Sequence, residues 1–451
     1  MAKIIHGKKA CAVNPLKMSQ PLGASAAFLG IDGCMPVMHG SQGCTSFGLV
    51  LLVRHFRETI PLQTTAMTEV ATVLGGLENL EAAILNIHKR ASPRIIGICS
   101  TGVTETKGDD VDGFLKNFRA KHPELDGLAL VYVSTPDFSG AFQDGWAKCV
   151  SAMIRTLTRP AAERVEKRIN VLAGAHLTVA DIEEIRETIE AFGLEAVMLP
   201  DLSGSLDGHI PETFLPHTLG GTPVEAIENL GSAAFTIAIG AQMAESAALL
   251  GTKTGVPYTV FDRLTGLDAS DRFMTCLSEL SGRPVPDKYR RQRSQLCDAM
   301  LDGHFFFGNK RTVIGAEPDL LWALGNFLTE MGCQLVGAVT TTDSAQLAEL
   351  PCDEVLIGDL EDLETMARER HAELMVTHSH GRQAAERLGI AFHRAGLPLF
   401  DRIGAAHKLS VGYRGTRDLV FEVGNLLISH MPHHHPDDWV NPEAGHVHHA
   451  S

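Results

Sequence analysis

Along most of this chain, short runs of apolar, largely β-branched residues alternate with stretches whose apolar residues recur at helical spacing. The clearest runs are "RIIGICST" (94–101) and "LALVYVST" (128–135), then "RINVLAG" (168–174), "EAVMLPD" (195–201) and "AFTIAIG" (234–240). A last group holds "KRTVIGA" (310–316), "QLVGAVT" (334–340), "DEVLIGD" (353–359) and "ELMVTHS" (373–379). Near-continuous apolar runs belong to strands covered on both faces, the situation in parallel sheets. The intervening helices carry their own punctuation. "TVADIEEIRETIEAFGL" opens on a Thr cap and closes on Gly193, and "EPDLLWALGNFLTEMGC" runs from Glu317 to a stop at Gly332. This alternation predicts an α/β chain of doubly wound parallel sheets.

The strands fall into three groups, and 451 residues exceed what one hydrophobic core supports. Three Rossmann-like domains are therefore expected, over 1–165, 166–307 and 308–431, with a His-rich tail at 432–451 that reads as disordered. The first boundary is placed by the polar stretch "TRPAAERVEKR" and the second by the end of "DKYRRQRSQLCDAMLDGHFFF", a long helix of the kind that bridges neighbouring units.

The formal charge of −15 disfavours nucleic acid or an anionic membrane as partner, because both call for basic surface. No apolar run is long enough to span a bilayer; "AAFTIAIGAQMAESAALLG" carries Gln242 and Glu245 and reads as a strand followed by a helix. The N-terminus lacks the pattern of a signal peptide, so the cytoplasm is the expected location. Nine cysteines without any CxxC do not make a disulfide framework in a reducing compartment. Neither a Walker A sequence nor a G-x-G-x-x-G after a strand is present.

Open α/β sheets bind ligands at the carboxyl ends of their strands, where this chain has "STGVTETKGDD", "STPDFSG" and "DLSGSLDGH". Glu105, Asp109 and Asp110 read either as a carboxylate cluster or as caps of the helix that follows. His378 and His380, two apart at a strand end, read as a pair on one face or as solvated loop residues. In the tail, His433, His434, His435, His446, His448 and His449 suggest at most loose metal affinity. Cys99 lies in a predicted strand; Cys149, Cys276, Cys297 and Cys333 fall in or beside helices and read as core; Cys11 and Cys34 lie where periodicity is poor. Cys44 stands apart in "MHGSQGCTSF", because Gly40 and Gly43 free the backbone beside it for the approach of a bulky group.

Several segments, in order and spacing, carry a resemblance. "NPLKMSQPLGA", "MPVMHGSQGC", "RHFRETIPLQTTAMTE", "STGVTETKGDDVDGFL", "STPDFSGAFQDGW", "GLDASDRFMTCLSELSGRPVPDKYRRQRSQLCDAMLD" and "VGYRGTRDLVFEVGN" resemble the β-type subunits of the nitrogenase component 1 family. "PLQTTAMTEV" and "DLSGSLDGH" are similar to its cofactor-assembly branch rather than the catalytic one. The catalytic subunit has cysteine just before QPLGA and in its TTC-type loop, which help hold an eight-iron cluster; here Ser19 and Gly102 stand there, and Cys44 alone remains.

The resemblance implies three Rossmann-like domains and a scaffold on which the iron–molybdenum cofactor precursor is matured by insertion of molybdenum and homocitrate, before delivery to apo nitrogenase. It implies Cys44 as one metal ligand of a 4Fe-4S cluster shared with a NifE-type subunit that supplies three more, with Gly40 and Gly43 letting the cluster nest against backbone N–H groups. The NifE-type partner would complete an α2β2 heterotetramer and hold most of the eight-iron precursor. ATP hydrolysis would belong to the nitrogenase iron protein, docking in part on "MTEVATVLGGLENL", where Leu74 replaces an aromatic residue. A lone chain is then not itself an enzyme. Two enzyme readings compete: a catalytic nitrogenase β subunit, opposed by Ser19 and Gly102, and a light-independent chlorophyll-pathway reductase subunit, a poorer match in HGSQGC and SELSGRPVP. A two-lobed binding protein of periplasmic type would need a secretion signal.

Overall fold

The computed structural model describes residues 2–7, 9, 12–69, 72 and 75–431. Three parallel sheets are present, each flanked by helices. The first runs in the order Gln63–Thr64, Cys34–His39, Ile95–Ser100, Ala129–Val133; the second Glu195–Leu199, Pro160–Ala173, Gly231–Ile239, Tyr258–Phe261. The third has six strands, in the order Lys3–His6, Glu354–Ile357, Gln334–Thr340, Arg311–Ala316, Leu374–Thr377, Ala391–Arg394. Each sheet is wound outward in both directions from its first domain strand. The strand order therefore reverses beside Cys34–His39, beside Pro160–Ala173 and beside Arg311–Ala316.

Three sequence expectations needed correction. Cys34–His39 is a fully buried central strand, yet it reads poorly because Pro36 interrupts it and prolines are normally confined to strand edges. The polar stretch read as a linker is the first half of the strand Pro160–Ala173; its residues to Lys167 are exposed, so they lack an apolar pattern, but they still pair with Gly231 and Ala233. The 165/166 boundary thus cuts a strand. Residues 3–6 do not join the first sheet but edge the third, in register with Glu354–Ile357.

That edge strand begins a strap back to the first domain. Lys9 Nζ contacts carboxylates of Asp359 at 2.9 Å, Glu361 at 2.8 Å and Asp362 at 2.8 Å, and the Val13 N–H donates to Asp359 at 2.7 Å. The strap delivers the chain to the helix Gln20–Leu29, all of whose residues are buried, as expected for a helix that is apolar all round. It crosses the helix Phe142–Leu157 at backbone contact: a Cβ on Gly23 would stand 1.9 Å from the Phe142 carbonyl, and one on Gly145 1.9 Å from that of Gln20. Two glycines make this crossing possible. Trp146 on the second helix then donates its indole N–H to Ala173 O at 2.8 Å, tying the first domain to the second sheet. Asp319 gathers all three domains: its carboxylate accepts from the Gln242 N–H at 3.2 Å and from Gln346 Nε2 at 2.5 Å, while its own N–H donates to Gln143 Oε1 at 3.1 Å.

Candidate functional site

Cys44 occupies the first turn of the helix Gln42–Phe56, which leaves the strand Cys34–His39 through Gly40 and Ser41. The strand Ile95–Ser100 lies beside that strand and ends at Thr101 and Gly102. Cys44 therefore stands at the point where the strand order of the first sheet reverses, the place where doubly wound sheets open a crevice for ligands. Thr101 pins the two strand ends together: its hydroxyl donates to His39 O at 3.0 Å, and Thr104 Oγ1 donates to the same oxygen at 3.2 Å.

The thiol is half-buried, 3.5 Å from Ser41 Oγ, and faces a cleft of about 350 Å³. Ser41 caps no backbone N–H of the helix. The first-turn amides are thus left for another acceptor, and the positive end of the helix dipole favours an anionic one. Ser19, Met38, Thr101, Asp137 and His380 line the same cleft. Phe47 lines it too and is 67% exposed; Val50, further along the same helix, and Phe138, next to Asp137, are exposed by 52% and 67%.

The two glycines differ. Gly43 is exposed and a Cβ there would meet nothing within 4 Å, so the backbone is open to a bulky neighbour. Gly40 is buried and its N–H donates to Thr65 Oγ1 at 3.0 Å; a Cβ would lie 2.2 Å from Thr101 Oγ1. Its lack of a side chain serves the strand junction, and its amide is not free for a cluster. Gly102 has a different neighbour, the Asp137 carboxylate, which packs directly on its Cα. His380, read from the sequence as one of a strand-end pair, lies at this cleft instead, and Asp137 is a site residue that the sequence does not single out. The "STPDFSG" loop was marked as a strand end, but no local spacing reveals that it folds onto Gly102.

The other candidates have structural employment. Glu105 accepts from Ser134 Oγ at 2.7 Å and from Ser100 Oγ, Asp109 accepts from the Gly76 N–H at 3.1 Å, and Asp110 caps its helix through the Gly113 N–H at 2.9 Å. His378 is not a solvated loop residue. It is buried, with Nε2 donating to Leu16 O at 3.2 Å and Nδ1 accepting from the His380 N–H at 3.4 Å, so neither nitrogen is left for a metal. Cys34, Cys99, Cys149 and Cys333 are buried, and burial raises each thiol pKa, to about 12 for Cys99 and about 11 for Cys333. Cys276 and Cys297 are half-buried on helices, and Cys352 is half-buried in the loop before Glu354–Ile357. Cys11, Leu74 and the tail histidines lie outside the described residues.

Among the described residues no three His, Cys, Asp or Glu side chains converge as a metal site. A cubane 4Fe-4S cluster needs about four ligands. The donor set at Cys44 fits one corner of such a group and no more: one reachable thiol, an open Gly43 backbone and an uncapped helix start.

The match to the model of the family described as nitrogenase component 1 type oxidoreductase spans residues 19–428. The chain belongs to that family. It is 60% identical over 445 residues to the nitrogenase iron-molybdenum cofactor biosynthesis protein NifN of Bradyrhizobium diazoefficiens, covering 97% of this chain and 95% of the relative. A protein of the same name from Nostoc is 50% identical, covering 95% and 96%. A solved structure of nitrogenase Cp1 at pH 6.5 superposes with a TM-score of 0.89 at 31% identity, covering 98% of this chain and 96% of that one. Within the family, the chain groups with the NifN proteins. Among the described residues no helix is long and apolar enough to cross a membrane.

Proposed function

We propose that this chain is one subunit of a cytoplasmic scaffold on which the nitrogenase iron–molybdenum cofactor precursor is matured, and that it lends Cys44 to a 4Fe-4S cluster at a subunit seam. The similarity to cofactor biosynthesis proteins over nearly the full chain supports the pathway. The observation that carries the ligand assignment is a single half-buried thiol in a cleft lined also by the exposed Phe47. One thiolate cannot hold a cubane, and the exposed ring of Phe47 beside it suits a covering protein surface. A NifE-type subunit in an α2β2 heterotetramer meets both needs by supplying the remaining ligands and the apolar counterpart.

In this reading the precursor rests mainly in the partner, receives molybdenum and homocitrate there with the iron protein as ATPase, and passes to apo nitrogenase. When bound, the cluster would supply electron transfer at the seam. This chain's residues orient it: Gly43 keeps the approach open, the helix start favours its negative charge, and Thr101 holds the two strand ends that frame it. The test is Cys44→Ser in anaerobically co-purified complex. Loss of about four irons per αβ pair, together with loss of the reduced-state EPR signal, is expected; full iron with an unchanged signal rejects the ligand assignment.

A further inference from the structure

The switch points of the second and third sheets face one another across a cavity of about 110 Å³ that the Cys44 reading does not use. From the second sheet it receives Ala175, His176 and Leu177, which follow the strand Pro160–Ala173. The third sheet contributes Ala316 and Glu317, at the end of Arg311–Ala316, and His378, just past Leu374–Thr377. In each sheet these are the ends beside which strand order reverses, where such folds admit ligands.

Of the charged groups at its wall, Lys408 and Arg394 are paired with carboxylates, while Glu317 is held by a backbone amide. Lys408 Nζ donates to Glu422 at 3.0 Å and to His393 Nε2 at 3.1 Å, Arg394 Nε donates to Asp401 at 2.8 Å, and Glu317 accepts from the Gln143 N–H at 3.1 Å. His176 is different. Its side chain makes no hydrogen bond, and Nδ1 is buried without a partner. The ring sits in a notch between the two strand ends: a Cβ on Gly174 would lie 2.9 Å from Nδ1, and one on Gly240 3.0 Å from Cε1. Burial pushes its pKa down to about 4, so at neutral pH it is an uncharged imidazole. A buried polar group left without a partner is costly, and a ligand atom can recover that cost.

We propose that this cavity is a second ligand site, for a small uncharged molecule, mainly apolar, with one hydrogen-bonding group that meets His176. The volume sets the size: an apolar cavity of about 150 Å³ accepts benzene, so this smaller one takes a molecule below the size of a six-membered ring. Lys408 and Arg394, each paired with a carboxylate, leave no field to hold a free anion.

The probe is 2,2,2-trifluoroethanol, followed by fluorine NMR on the full chain in complex with its partner. Saturable binding is expected in the native protein. His176→Phe, which keeps a ring but removes its nitrogens, weakens it about tenfold, and Leu320→Trp, which fills the chamber, abolishes it; Ala406→Leu replaces the latter if it does not fold. Absence of saturable binding in the native protein overturns the site. Unchanged affinity in His176→Phe overturns the ligand class, and unchanged affinity in the filled variant places the probe elsewhere and overturns the site. None of these readouts depends on the iron at Cys44, so this proposal and the scaffold reading fail separately.

Discussion

Asp137 and Gly102 form a reciprocal fit at the Cys44 cleft: a Cβ on Gly102 would stand 2.1 Å from Asp137 Oδ1. The loop after Ala129–Val133 thus fills the space that a side chain at 102 would need. Because the obstructing atom ends an exposed side chain, the obstruction can swing aside, and the more durable effect is electrostatic. A thiol introduced as Gly102→Cys is expected to react with iodoacetamide several-fold more slowly than the same thiol in the Asp137→Ala background, because a nearby carboxylate disfavours the thiolate. Mass-spectrometric alkylation rates measure this; equal rates would show that Asp137 has moved out of range.

Alkylation of the native chain separates Cys44 from the core thiols. Cys34, Cys99 and Cys149 are fully buried with raised pKa values and stay unmodified at pH 8 while the protein is folded. Cys44, which is reachable, is modified within the same exposure when the chain is alone. Assembly with the cluster-bearing partner is expected to protect it. Equal labelling of Cys44 in both preparations would count against a covered site.

Asp319 gives the three-domain junction a pH dependence. Burial raises its pKa from 3.8 to about 6, against hydrogen bonds that pull it down. The folded state therefore prefers the protonated acid: this group's stabilisation is full below pH 3.8 and is lost as pH rises through about 6. The loss is on the order of 3 kcal/mol. Asp319→Asn is expected to flatten the stability profile between pH 4 and 7, which urea titrations at successive pH values measure. An unaltered slope would place the dependence elsewhere, with Glu317, raised to about 7 by its burial, as the next group to replace.

Lys9 holds the strap locally rather than globally. Its pKa is raised by the carboxylates of Asp362, Glu361 and Asp359 despite the opposing desolvation. The side chain is 35% exposed, so the cluster behaves as a surface network of modest worth, about 1 kcal/mol. Lys9→Gln is expected to speed amide exchange at Lys3–His6 and Val13 several-fold, with little change in the unfolding midpoint. A fall of many degrees in that midpoint would show the strap to be part of the global fold.

Much of the architecture was legible as periodicity. The helix at Val179–Ala191, capped by Thr178, and the helix Pro318–Glu330, with Gly332 at φ +96°, occur where their caps predicted them, because capping is a local hydrogen-bonding problem. The strand Cys34–His39 was not legible, since Pro36 weakens a local pattern that burial on both faces overrides. The strand Lys3–His6 was equally hidden: its partner is some 350 residues away, and nothing local in four residues selects it.

At the site the sequence by itself determined which side chains are at hand: one cysteine, Cys44, with Gly40 and Gly43 beside it. Residue identity is enough for that, because ligand chemistry resides in single side chains. Only the tertiary structure decided that Gly43 is open while Gly40 is spent on Thr65, that Asp137 lies over Gly102, and that His176 packs between Gly174 and Gly240 while lining a cavity shared with the third sheet. These relations join residues tens to hundreds of positions apart. They are fixed by which strand edges pair and which backbones touch, and no periodicity along the chain encodes that.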